Sequence, residues 1–362
     1  MTETIALSLF ALALFGVRMR SKTRVNRSKE QQDSGEFVVV SIQKEKHHEG
    51  ILELARHTFS GHDWIVGDYD SWFQKDAHCI AIGLENRTRG DLAALFVMKA
   101  NKQDRTGTLQ GLRVHPQYRG KGLAHIMQNE MIAQMQKRRQ EFGIDALLYT
   151  AYDTNYGSIK VAEKSGMKLI NATPFMFMAE SEDSSLPELI TRNGKGTLEG
   201  FYAEAKAHVG KSPILKKRTF RQVKSPQKAF EQLEKLGTTM LYQDWKPYKV
   251  APYNLDKILK KNDCFELDEG EGGLSIGICR PDDNGMICIL NVYWWLNDKG
   301  GKGRSAVLDV LAHMDHWADI CRKNKVTSLY LSYSEPAHAG LVDLKVVTKQ
   351  IPQRELIFQL NL

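Results

Sequence analysis

The segment RGKGLA, Arg119 to Ala124, lies between the apolar run TGTLQGLRVHP and a helix-patterned stretch, and it restricts the fold more than any other part of the chain. Downstream of it, Ala124, Met127, Met131 and Met135 recur at helical spacing, so the glycines stand at a strand-to-helix junction. A helix N-terminus presents free N–H groups and a partial positive charge, and Gly120, Gly122 and Ala124 leave that end open to an anion such as a phosphate. Arg119 and Lys121 add charge beside it. Pro116 cannot donate to a sheet ladder, so it is expected to end the strand and splay it from its neighbour. The freed peptide groups would suit the amide-bearing arm of a thioester ligand. Taken alone, glycines before a helix also fit a plain turn.

The elements around this junction give it context. FVVVSIQ from Phe37 reads as a strand, and EKHHEGILELARHTF as a helix with Ile51, Leu52, Leu54 and Ala55 at helical spacing. An aromatic-rich turn, DYDSWFQKD, leads into the strands HCIAIGLEN, DLAALFVMKA and TGTLQGLRVHP, with turn residues Asn86, Gly90, Asp104 and Gly107 between them. Beyond the glycines, ALLYTAYDTN, YGSIKVAEKSG and MKLINATPFMFMAE add strand, helix and strand. The pattern predicts a mixed α/β sheet whose central helix starts at the glycines.

With 362 residues, 42% of them hydrophobic and 26% charged, the chain can bury a sizeable core and has the length of two domains. Its formal charge of +7 is spread along the sequence without compact basic blocks, so no nucleic-acid partner is expected. The cysteines, Cys79, Cys264, Cys279, Cys288 and Cys321, form no CxxC pair or metal-ligand spacing; they read as buried thiols in a cytoplasmic, reducing setting, and no metal site is expected. The apolar run Ile5 to Val17 is shorter than the ~20 residues that span a bilayer and has the wrong flanks for a signal peptide. Residues 1–36 are therefore read as a leader outside the fold, with residues 5–17 as the sole candidate for membrane association.

RGKGLA fits the arginine-x-x-glycine-x-glycine/alanine pattern of the GNAT acetyltransferases, and NYGSIKVAEKSGMKL resembles the next motif of that family in the right order. The resemblance covers residues 37–180. It implies the GNAT fold, a mixed, mostly antiparallel twisted sheet with a splayed central strand pair, and acetyl-CoA as co-substrate. It further implies a coenzyme site of Leu112, Val114, Arg119, Gly120, Lys121, Gly122, Leu123, Ala124, Asn155 and Ser158, with the Val114 N–H as donor to the developing oxyanion. The sequence departs from the pattern where proton transfer occurs. The tyrosine that many members carry seven residues after the motif asparagine falls on Ala162, and Gln110 stands where a glutamate base often sits. An amide cannot take a proton at neutral pH. His115, Tyr149, Tyr152 and Asp153 remain as acid or base candidates, or the amine arrives already neutral.

After a linker at 181–212 with a helical segment, residues 213–362 repeat a comparable order of strands and helices. Glycines again precede a helix in NDKGGKGRSAVLDVLAHMDHWADICRKN, but Asp298 holds the arginine position and would oppose a diphosphate. This half resembles a degenerate GNAT-like domain on the substrate side. Within it, LYQDWKPYKVAPYNL offers Gln243, Asp244 and Trp245 either as a packed strand edge or as a wall for a small polar ligand. Together with GHDWIVGDYDSWF, the segment resembles the amino-acid-acetylating branch of the family, which implies a free amino acid as partner, with the α-amine of L-histidine as acceptor. Tyr69 and Trp72 would then line the acceptor entrance, or cover the core, and Arg113 would meet the carboxylate, or lie at the surface. A catalytically silent acetyl-CoA binder and a protein or polyamine acetyltransferase remain open. No feature of the sequence indicates an oligomeric state.

Overall fold

The computed structural model describes residues 35–58, 61, 63–74, 77–179, 207, 219–243, 246–267, 273–282, 285–293, 303–332 and 353–362. The expectations for residues 1–34, nearly all of the linker, Asp244, Trp245 and Asp298 lie outside these residues.

The first half runs β1 (Phe37–Ser41), α1 (Lys44–Arg56), a short helix Ile65–Asp68 with a 3-10 turn Tyr69–Phe73, β2 (Cys79–Asn86), β3 (Leu92–Asn101) and β4 (Thr106–Val114). It continues with α2 (Leu123–Phe142), β5 (Ala146–Tyr152), α3 (Tyr156–Lys164) and β6 (Lys168–Ala179). Residues Leu92 to Met98 are all buried, as a central strand covered on both faces requires. On α2, Leu123, Met127, Met131 and Met135 recur every four residues and are all buried against the sheet. Each such side chain is worth about 1.5–3 kcal/mol when removed from water. The helix ends on Gly143, whose φ of 63° accepts the left-handed stop that a side chain resists.

The second half contains β7 (Phe220–Gln222), α4 (Pro226–Lys235), β8 (Met240–Gln243), β9 (Lys246–Lys249), α5 (Pro252–Leu259), β10 (Asp263–Leu267), β11 (Leu274–Asp282) and β12 (Gly285–Tyr293). α6 (Gly303–Lys323), β13 (Ser328–Ser332) and β14 (Gln353–Asn361) follow. β13 and β14 are additions to the elements expected from the sequence. The aromatic-rich segment after Met240 is the antiparallel hairpin β8–β9.

Twelve of the described strands form one sheet in the order β1-β2-β3-β4-β5-β14-β6-β13-β12-β11-β10-β7. Each half holds one parallel pair joined through its long helix, β4 with β5 through α2 and β12 with β13 through α6. The halves then exchange partners at the centre. β14 pairs with β5 on one side and β6 on the other, while β6 also pairs with β13. A single hydrogen-bonded sheet therefore crosses the division that sequence composition suggested between residues 180 and 213.

β4 and β5 share rungs from Thr106↔Ala146 to Leu109↔Tyr149, after which β5 continues against β14 and β4 stays with β3. This fork is the expected splay, but Pro116 does not make it. The register of β3 on β4 shifts between Leu95 and Val97, opposite Gly111, whose φ is 66°. A bulge of this kind bends its strand and increases its twist. Pro116 acts later, opening the 3-10 turn Pro116–Tyr118 after the strand has ended.

Candidate active site

The fork exposes backbone on its β4 side. The His115 N–H bonds to the Ala93 carbonyl at 2.9 Å, so antiparallel alternation turns the N–H and C=O of Val114, opposite Ala94, away from β3. The Val114 carbonyl accepts a bond from Arg119 Nε at 3.1 Å, which leaves its N–H facing the opening. At the start of α2, the first amides to find a backbone carbonyl are those of His125 and Ile126, both on Gly122 O at 3.0 and 3.2 Å. Gly120 and Gly122 have φ of 82° and 77°, and a β-carbon at either would meet nothing within 4 Å among the described residues. Bare N–H groups thus face open space at a helix end, a donor set that fits a diphosphate.

The side chains in this loop do less than their charges suggested. Arg119 holds the Val114 carbonyl, and Lys121 Nζ pairs with Glu36 at 3.0 Å while lying over the rings of Phe37 and Tyr118. Leu123 is buried, Leu112 packs partly buried against the same core, and Ala124 sits in the first turn of α2. Asn155 caps α3, its side chain accepting from the Ser158 N–H at 3.2 Å. Burial raises the pKa of nearby Tyr149, partly opposed by its contact with Ser158. Ala162 is fully buried in the α2-side core.

Successive β5 side chains point to opposite faces. Leu147, Tyr149 and Ala151 pack with α2, whereas Leu148 packs with Tyr242 and Ile357 on the other face, which Thr150 and Tyr152 share. Gln110, one step past the last β4–β5 rung, shares that second face with Thr150 and has a buried Nε2 without a partner among the described residues. β14 brings a further residue there: Glu355 lies directly across from Tyr152. Glu355 is only 2% exposed, and neither carboxylate oxygen completes a hydrogen bond among the described residues. Burial pushes its pKa up to about 8, against the weaker opposing influence of the Tyr330 and Tyr242 hydroxyls. Burial, with the charge of Glu355 as the next cause, raises Tyr152, Tyr242 and Tyr330 well above the ordinary tyrosine value, so all three are neutral phenols. Phe175 stacks on Tyr330 with ring centres 5.1 Å apart and lies 5.2 Å from Tyr152.

Sequence reasoning missed Glu355. The alternating run ELIFQL could have signalled a strand, but nothing local says which strand it joins.

Several expected site residues have other duties. Arg113 makes a two-pronged ion pair with Asp63, Nε to Oδ2 at 2.6 Å and Nη2 to Oδ1 at 2.9 Å, so it is not a free carboxylate clamp. Tyr69 and Trp72 are buried with Ile51, Leu54, Ile65, Leu95 and Val97, filling the core between α1 and the sheet instead of lining an entrance. His115 turns toward α1, its Nε2 lying 3.8 Å from Glu53 and its ring 5.0 Å from His57. Asp153 sits in the turn after β5, with Oδ2 3.9 Å from Arg354. The Gln243 amide donates to Asn262 Oδ1 at 2.7 Å and accepts from Asn291 at 2.6 Å, which makes it a support behind Tyr242.

All five cysteines are free thiols. Folding nevertheless gathers Cys279, Cys288 and Cys321, and separately Glu53, His57 and His115, with ligand atoms within 4.8 Å of one another. The spacing in the sequence had suggested neither group. Among the described residues, no helix is long and apolar enough to cross a membrane.

The fork, the bare helix end and the element order agree with a direct comparison, in which residues 48–167 match the acetyltransferase (GNAT) family. This half of the chain is a GNAT acetyltransferase domain. The histidine N-acetyltransferase of Xenopus tropicalis is 24% identical over 288 residues, spanning 77% of this chain and 81% of that protein. The human protein described as probable N-acetyltransferase 16 is 26% identical over 251 residues, covering 68% of this chain and 62% of its own length. A tandem GNAT protein from the clavulanic acid biosynthesis pathway superposes on 90% of this chain and 98% of its own with a TM-score of 0.50 at 12% identity. That likeness spans both halves, so the second half has a GNAT-like fold as well. The GNAT-type glucosamine N-acetyltransferase region of a fungal multi-domain β-N-acetylglucosaminidase covers 89% of this chain and 38% of its own, with a TM-score of 0.52 at 13% identity. The protein is thus an acyltransferase of the GNAT type, a family that uses acetyl-CoA.

Proposed function

We propose that the enzyme transfers acetyl from acetyl-CoA to the α-amine of a free amino acid, with L-histidine as the favoured acceptor. The observation that carries this reading is the roof over the acceptor face. Tyr152, Phe175, Tyr242 and Tyr330 come from both halves and enclose Glu355, a setting suited to a small polar ligand held by aromatic walls. A protein tail would need an open groove. The curated relatives named for histidine acetylation support the choice of acceptor.

The donor reading places the diphosphate at the amides of Gly120 to Ala124 and the thioester carbonyl near the Val114 N–H, a fixed donor where negative charge develops. Asn155 and Ser158 belong to this side through α3, with Tyr149 beneath them. A cytoplasmic location stays a proposal, as does the alternative of membrane association through residues 5–17, which lie outside the described residues.

The test is CoA release from acetyl-CoA across the twenty free amino acids, with Gly122→Trp as the blocked-site control. Signal with histidine that the control abolishes is the expected result. Acetyl-CoA binding without turnover on any amino acid overturns the acceptor reading and favours a silent coenzyme binder, for which Ala162 is the motivating departure.

A further inference from the structure

We propose that Glu355, delivered by the C-terminal strand, is the general base that takes the proton from the acceptor ammonium. This rests on the reading above, in which the acceptor is a free amino acid that arrives protonated.

Placement carries the inference. β14 is the immediate neighbour of β5, at a strand spacing of ~4.8 Å, and Glu355 faces Tyr152 three residues beyond Tyr149, the last rung β5 shares with β4. That sets it ~10 Å past the fork along the strand, on the face that carries Thr150 and Tyr152. An amine poised over this stretch of β5 has the open Val114 edge on one side and the Glu355 carboxylate on the other. The remaining candidates are poorly suited. Gln110 cannot accept a proton, the tyrosines are neutral phenols, His115 is turned to Glu53, and Asp153 lies in the turn beside Arg354.

Charge supports the same assignment. Among the described residues, the titratable groups that face Glu355 are Tyr152 on β5, Tyr242 on β8, Tyr293 on β12 and Tyr330 on β13, and none of these supplies a cation. A buried carboxylate without a cation is costly, and an incoming ammonium is the partner that offsets the cost. Its elevated pKa also lies close to the range in which a base can both hold and release a proton at neutral pH.

The step balances without another reactant. A Glu355 oxygen takes one proton from R–NH3+, and the freed lone pair attacks the thioester carbonyl carbon to give a tetrahedral oxyanion. On collapse the C–S bond breaks, the nitrogen passes its surplus proton to the departing sulfur, and CoA leaves as the thiol. Glu355 then releases its proton to solvent.

Glu355→Gln and Glu355→Asp in the full chain provide the test, read as acetyl-CoA affinity and as kcat/KM for histidine from pH 6 to 10. Glu355→Gln should bind acetyl-CoA like the parent yet lose about a hundredfold or more in kcat/KM at neutral pH, the scale expected of a general base. That deficit should shrink as the pH passes the pKa of the amine, because the acceptor then arrives deprotonated. Glu355→Asp should keep the pH inflection at reduced rate, and it decides the matter if the Gln variant fails to fold. Equal rates, or a loss constant across pH, overturn the base assignment while leaving the histidine reading intact. A parent enzyme that turns over no amino acid overturns both.

Discussion

Both halves place a parallel strand pair beside a long helix, yet among the described residues the strand leading into that helix has an interrupted register in the first half and an unbroken one in the second. In β4 the pairing with β3 slips at Gly111, and the strand leaves β5 after four rungs. Its counterpart β12 pairs with β11 from Leu274↔Tyr293 to Asp282↔Gly285 without a break and shares five rungs with β13. The space beneath the helices differs too. Under α6, Trp317 and His313 both bond to Ser275, at 2.9 and 2.8 Å, and the Trp317 ring presses on Gly277. The buried face of α2 instead carries Met127, Met131 and Met135. One half forks its sheet beside a bare helix end, and the other keeps a related frame fully paired over Trp317.

The largest effect that would break this contrast is removal of β14. A chain ending before Gln353 loses the partner of both β5 and β6 along with Glu355, and we expect no CoA release above background. Next is Asp63→Asn. It removes the negative charge from the part-buried Arg113–Asp63 ion pair and should cost about 3–5 kcal/mol, read as a fall in denaturation midpoint. In the second half, Ser275→Ala removes a neutral partner and should cost less, about 1–3 kcal/mol. Gly111→Ala tests the fork itself. A side chain at φ 66° costs roughly 1–2 kcal/mol, and its β-carbon would lie 3.3 Å from Ile65 Cδ1, so a weaker grip on acetyl-CoA should accompany a small loss of stability. Unchanged affinity would show that the bulge does not hold the fork open.

A further expected change is in the pH dependence of stability. Glu355 has a folded pKa of about 8, above the ~4.3 of an unfolded glutamate, so folding favours its neutral form. Below about pH 4 both states are protonated and the group contributes no penalty. As the pH climbs from there toward 8, the unfolded chain alone gives up its proton and stability falls. Glu355→Gln removes this penalty. Its advantage over the parent should be largest above pH 8 and vanish in acid, measured by urea unfolding at a series of pH values.

Much of the first half was legible in the sequence because its signals are local. The glycines at a helix start, the Met127, Met131 and Met135 stripe and the Asn155 cap all act within a turn or two of themselves. The fork was anticipated but credited to Pro116, because proline advertises its effect in sequence whereas a glycine bulge such as Gly111 shows only once the register of β3 is known. Arg113, Tyr69 and Trp72 were suggestive as site residues; Asp63 and the α1 core, which claim them, lie elsewhere in the chain. Glu355 was hidden for a stronger reason. Its role depends on which two strands β14 enters, and no periodicity encodes that choice.

The insertion of β14 also sets an order of events in folding. Tyr152 and Glu355 are separated by more than half the chain, so their pairing closes one of the longest loops in the molecule. Helix α2 and the bare amides at its start need only neighbouring sequence. A refolding chain should therefore recover helical signal and acetyl-CoA affinity early, and catalytic competence only when its final strand has found the gap between β5 and β6.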